Sequence, residues 1–181
     1  MRIGTRLAAF MAGSIVCGLA FGPSSLGNSA FGQSALGQSS PDPEDVRVMA
    51  GRSDALRAER ELFGAVNDAR RNQGLAPLHW NDSLAAAARR HAAVMAEHGS
   101  AQHGFEGELS LSARVKQTGA HFVWLSENVT QGPRTEFIHG QFMKSANHRA
   151  NILDADMNSI GVGVAERGGQ LFVVEDFADL R

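Results

Sequence analysis

Cysteine is nearly missing from this chain of 181 residues: there is one, Cys17, inside an N-terminal apolar stretch. A single thiol excludes a disulfide framework, and once that stretch is removed no cysteine nucleophile remains. Charge of one sign is lacking too. With 17 basic and 19 acidic side chains, the net charge of -2 offers no electrostatic case for nucleic acid or an anionic membrane surface. The common catalytic signatures are absent: no G-x-S-x-G elbow, no phosphate-cradling loop with lysine, no Cys/His pair and no H-E-x-x-H. Ser145 stands three residues before His148, but closeness in sequence is not triad geometry.

What is present suits one globular domain with an extra segment. The chain is 43% hydrophobic and 20% charged, enough to bury a core without staples. Arg2 and Arg6 precede an apolar run from Leu7 to Phe21, which is short for a bilayer span. A signal peptide over residues 1–20, cleaved after Ala20, is expected, with an uncleaved interfacial anchor as the alternative. Lipid attachment at Cys17 would need a small residue before it, and Val16 is there instead.

Phe21 to Ser40 consists of four pentads, "FGPSS", "LGNSA", "FGQSA" and "LGQSS". Their Gly, Ser and Gln content cannot bury enough apolar area to offset ordering entropy, so a flexible linker over residues 21–52 is expected rather than a binding repeat. "PDPED" is expected to break structure before the domain, residues 53–181.

Leu62, Phe63 and Val66 form a helical stripe, with Ser53 or Asp54 as cap and Gly74 as stop. "LAPLHW" reads as an extended connection. A second helix runs from Asn81 or Asp82 to His98, with Leu84, Ala88, His91, Met95 and His98 on one face. A third is expected over Leu109–Thr118, a strand over Phe122–Val129, and a fourth helix over Thr135–Ser145. Asn147 is the expected cap of a short turn, His148 to Leu153. Ile160, Val162 and Val164 alternate with small residues, then Gly168 and Gly169 turn into "QLFVVEDF", a hairpin. The fold class is α+β, helices packed on a small, largely antiparallel sheet.

Two residues are out of place in these patterns. Glu127 shares a strand face with Val123, Leu125 and Val129. Either a cation, metal or donor satisfies it there, or the strand ends at Leu125 and the carboxylate is exposed. His148 is placed at the first helical position, where the dipole favours the neutral imidazole that binds metal or accepts a proton. Alternatively it merely packs near the cap. His91 reads as a satisfied core residue, and His98 is too far along the helix to share an ion with it. His103 lies in the loop "AQHGF"; His79, His121 and His139 carry no separable signal. Asn81 and Asn128 head glycosylation-type triplets, which arise often by chance.

From Leu62 to Phe177 the chain resembles the CAP superfamily, the cysteine-rich secretory, antigen-5 and pathogenesis-related-1 proteins. The likeness is carried by "VNDARRNQGLAPLHWNDSLAAAARRHAAVMAEHG", "SENVTQG", "SANHRANIL", "IGVGVA" and "FVVEDF", and is strongest to the disulfide-free bacterial branch. It implies a three-layer α-β-α sandwich in which two histidines and two acids line a cleft and can hold a divalent metal such as zinc. His103, Glu127 and His148 match three of those positions, Glu127 and His148 being also the catalytic candidates. Glu106, Glu108 and Glu175 compete for the fourth; hairpin symmetry sets Glu175 opposite Val162, where bacterial members commonly have glutamine. "SANHR" departs from the family's S-P-G-H-R. The resemblance implies a secreted or cell-envelope CAP domain that binds a small ligand, lipid, peptide or envelope component, with no nucleic acid and no membrane contact beyond an uncleaved leader. A metal-assisted hydrolase of peptides or envelope polymers is the alternative, and a structural envelope protein a third.

Overall fold

The structure, a computed structural model, describes residues 42–180; the leader, the pentads and their expected roles lie outside the described residues. Helix α1 spans Pro43–Asn72. It begins ten residues before the expected Ser53, because "PDPED" is its cap and not a break. The Asp42 carboxylate accepts from the Glu44 N–H at 2.8 Å, and Pro43 fills the first helical position, where its missing N–H costs nothing. The first three turns are exposed on every side, and burial starts near Ala58.

Strand β1 is His79–Trp80, and α2 runs Asp82–His98. Asn81 caps α2 by accepting from the Leu84 N–H at 2.9 Å, and Gly99 closes it at φ 66°. That use occupies the side chain of one of the two glycosylation-type asparagines. Helix α3 is Leu111–Lys116, a shorter helix than expected, and β2 is Phe122–Gly132, a longer strand. Helices α4 (Thr135–Lys144) and α5 (Ala146–Ile152) share Ser145 as their junction. Strands β3 (Ser159–Arg167) and β4 (Gln170–Leu180) form the hairpin, turning at Gly168 and Gly169, both at positive φ.

The sheet order is β1-β3-β4-β2, with β4 antiparallel to both neighbours and β1 parallel to β3. One face carries α1, α4 and α5: Leu62, Val66, Ile138, Phe142 and Ile152 pack on Ile160, Val162, Val173 and Phe177. The other carries α2 and α3: Ala88, Ala92 and Met95 meet Val129 and Val174, while Leu84 and Val115 meet Ala178. This is the three-layer α-β-α sandwich. The glycines of "IGVGVA" set its spacing. A Cβ on Gly161 would lie 2.1 Å from the Ala85 nitrogen, and one on Gly163 2.2 Å from the Ala88 carbonyl carbon. Helix α2 therefore rests directly on the β3 backbone and lies beside β4, where Ala92, Met95 and Ala96 cluster with Phe172, Val174 and Val129.

Candidate functional site

The site is built on β2, which has β4 on one side only. Leu125 and Val129 face the α2 layer, and alternation sends Glu127 there with them, 7% exposed. The strand does not end at Leu125, so the exposed alternative for Glu127 falls. Val123 leaves the row: a bulge between Phe122 and Trp124 turns it out to solvent, and Trp124 with it.

A carboxylate at this depth needs partners, and Glu127 has three. His103, from the loop after α2, donates through Nδ1 to Oε1 at 2.9 Å. Arg114, from α3, donates through a terminal nitrogen to Oε2. Asp176 stands directly opposite on β4, and cross-strand partners share a face. Asp176 is fully buried, and neither of its oxygens meets a donor. Burial first, then the Glu127 charge, raises its pKa well above the carboxylate range, against the pull of Arg114. Folding therefore favours the protonated form of Asp176 beside the Glu127 carboxylate.

The Arg114 guanidinium also donates to the carbonyls of Leu109 (3.0 Å) and His103 (3.3 Å) and lies 3.6 Å from Glu108. Glu108 accepts from His91 Nδ1 at 2.6 Å, and His91 Nε2 lies 2.8 Å from the Gln102 carbonyl oxygen. His91 is thus the satisfied core residue that its helix face implied. His98 stacks on Phe105 with ring centroids 4.1 Å apart, remote in role from Glu127.

His148 arrives from the opposite layer. Ser145, not Asn147, is the residue before the first helical turn, so His148 is the third residue of α5 and not the first. The reason is the single-residue junction with α4: Ser145 is already extended at ψ 123°, and Ala146 and Asn147 continue into helix. The His148 imidazole meets Phe142 edge-on at 5.2 Å. Burial lowers its pKa, and the charge of His103 lowers it further. His103 moves the other way, raised chiefly by its bond to Glu127 against its own desolvation. The two imidazoles therefore sense one another from either side of β2, yet no hydrogen bond joins His148 to Glu127 or to His103.

The pin under His148 is Asn128, fully buried, which donates to the His148 carbonyl at 3.2 Å and to Glu175 at 3.1 Å. Asn151 donates to the Asn128 amide oxygen at 2.9 Å. That burial removes Asn128 as a glycan acceptor. Glu175 pairs with Val162 as hairpin symmetry required, but it faces the α5 layer, across the sheet from Glu127. Burial pushes its carboxyl up to about 8, so it is neutral at pH 7. Of the other two fourth-position candidates, Glu106 is exposed and Glu108 reaches the network through His91 and Arg114.

A zinc ion asks for three or four such side chains converging on one point. Among the described residues no three His, Cys, Asp or Glu side chains do so. Both Glu127 oxygens are engaged, and displacing the guanidinium would strand a buried charge at a cost of about 3–5 kcal/mol. As arranged, His103, Glu127 and His148 do not fit the ion. Two members of the network escape a reading of the sequence. Asp176 could have been found: β4 is central, so both phases of "FVVEDF" are buried, not only that of Glu175. Arg114 carried no such signal, because its partner lies 13 residues away across a helix and a strand.

Comparison with known proteins agrees with this architecture. The chain is 31% identical over 111 residues to YkwD, an uncharacterised protein of Bacillus subtilis strain 168, covering 61% of this chain and 43% of that one. It spans less than half the length of that relative. An extracellular protein containing an SCP domain from Bacillus anthracis superposes with TM-score 0.66 at 22% identity, over 77% of this chain and 45% of that one. An outer surface protein of Borrelia burgdorferi superposes with TM-score 0.64 at 17% identity, over 69% of this chain and 94% of that one. Those structures share the fold. The model of the CAP family, cysteine-rich secretory proteins, matches residues 63–177, from the buried face of α1 to the end of the β4 core, and the chain belongs to that family.

Proposed function

We propose that this CAP domain is an extracellular or cell-envelope binding module, not a hydrolase. The observation that carries the reading is the state of Glu127. A general base needs a free lone pair within reach of a substrate or water, and both oxygens of this carboxylate already accept from His103 and Arg114. Such a network stiffens a cleft wall at the cost of reactivity. His148 is the group left open to a ligand, a half-buried imidazole kept neutral that can both donate and accept. Binding is also favoured by a cavity of about 780 Å³ beside the exposed Val123 and Trp124, lined further by Asp154, Asp156 and Asp179. An exposed tryptophan is an anchor of the kind that interfaces use. The extracellular protein among the structural neighbours and the Arg-flanked leader support export.

The test sets turnover against binding. The full chain and Glu127→Gln are incubated with casein peptides and purified envelope polymer, with and without zinc, and are screened by thermal shift against lipid, glycan and peptide panels. The expected outcome is no turnover above the variant, and a concentration-dependent stabilisation by one ligand class that His148→Ala or Trp124→Ala weakens. Turnover that Glu127→Gln abolishes would overturn the proposal.

A further inference from the structure

We propose that Arg114 is the resident cation of this cleft: its guanidinium takes the electrostatic place of a divalent ion, and its removal leaves carboxylates whose charge zinc can neutralise instead. The geometry is that of a cation site with the cation built in. Arg114 is 4% exposed and reaches Glu127 and Glu108 at once. His103 holds the other oxygen of Glu127, His91 bridges Glu108 and stands 4.0 Å from Glu127, and Asp176 faces Glu127 from β4. Two carboxylates thus share one guanidinium, and each is held on its other side by an imidazole. Imidazole nitrogen and carboxylate oxygen are the ligand types zinc takes in mixed sites. The structure gives the carboxylates to a guanidinium instead, and the planar fork suits them. Its terminal nitrogens serve two carboxylates, and one of them also donates to the carbonyls of His103 and Leu109.

The short helix α3 has its place in this account. Its six residues bury only Arg114 and Val115, so the element anchors one apolar side chain and delivers one charge. A divalent ion approaching Glu127 meets a like charge that has no solvent to retreat into. His148 is outside the arrangement, being on the other side of β2 and bonded to none of these groups through its ring.

The experiment is zinc titration of the full chain by calorimetry at pH 7.5 after chelator treatment, with Arg114→Met and the double variant Arg114→Met/Glu127→Gln. Wild type is expected to give no saturable binding that depends on Glu127. Arg114→Met is expected to bind one zinc per chain at least about tenfold more tightly than wild type, and the double variant to lose that gain. His148→Ala, made on the Arg114→Met background, should keep it. Saturable zinc binding by wild type that Glu127→Gln abolishes would overturn the proposal, as would a folded Arg114→Met with no gain. If Arg114→Met does not fold, the wild type decides: histidine NMR resonances that ignore equimolar zinc uphold it, and selective broadening of His103 overturns it.

Discussion

Glu175 is the residue whose chemistry departs most from its composition. It is a carboxyl with no exposure, one amide donor from Asn128 and an oxygen, Oε1, without a partner. Its folded pKa of about 8 lies above the ordinary 4.5, so folding favours the protonated form. The sign follows. Between about 4.5 and about 8 the unfolded chain has lost this proton while the folded chain keeps it, so stability falls as pH rises through that window. The slope from this one group reaches at most about 1.4 kcal/mol per pH unit. Glu175→Gln keeps an acceptor for Asn128 and removes the titration. Urea unfolding should find the variant near wild type at pH 5 and more stable by about 1 kcal/mol or more at pH 8. Asp176, raised for the same reason, leaves a residual slope of the same sign. An unchanged pH profile would place the proton elsewhere.

At the scale of elements, the contact between α2 and β3 decides most. Helix α2 presents alanine at positions 85, 88 and 92, and β3 presents Gly161 and Gly163, so backbone meets backbone. Gly163→Ala drives a methyl into the Ala88 carbonyl, where neither helix nor strand can yield without moving the layer. A loss of about 3 kcal/mol or more is expected in urea unfolding. Gly64→Ala is the matched control. Gly64 lies in the interior of α1 with open space where a Cβ would go. There the same change should stabilise by about 0.5–1 kcal/mol, through helix propensity alone. The alternation of "IGVGVA" was legible as a strand, but the reason for its glycines was not, since the partner surface lies some 75 residues earlier in the chain.

For the whole molecule, the open question is how much chain the domain needs. Helix α1 extends about four turns before its first buried residue, Ala58, with Val46, Val48 and Met49 exposed. Removing residues 1–52 shortens the helix to a start at Ser53 without opening the core that begins at Ala58. Unfolding free energy should change by less than about 1 kcal/mol, measured by urea denaturation of the shortened and full chains. A larger loss would mean that residues before Ser53 pack on the domain. Among the described residues, no helix is long and apolar enough to cross a membrane.

Local order was written in the sequence. Periodicity, Asn81, Gly99 and the Gly168–Gly169 turn placed the helices and the hairpin, because caps and turns are settled by the residues that form them. The exceptions are junctions: "PDPED" reads as a break although Asp42 and Pro43 start α1, and Asn147 reads as the helix start although Ser145 holds that place. The resemblance likewise supplied His103, Glu127 and His148 as neighbours in one cleft, and the structure brings the first two into contact. Which charges share that cleft was decided by the tertiary fold alone. Glu127 meets Arg114 only because α3 packs against the α2 layer, and meets Asp176 only because of the β2–β4 register. His148 stays apart because it rides on the opposite layer of the sandwich. Local sequence fixes dihedral angles; the pairing of a buried charge depends on which distant segments the core draws together, and no periodicity within either segment encodes the other.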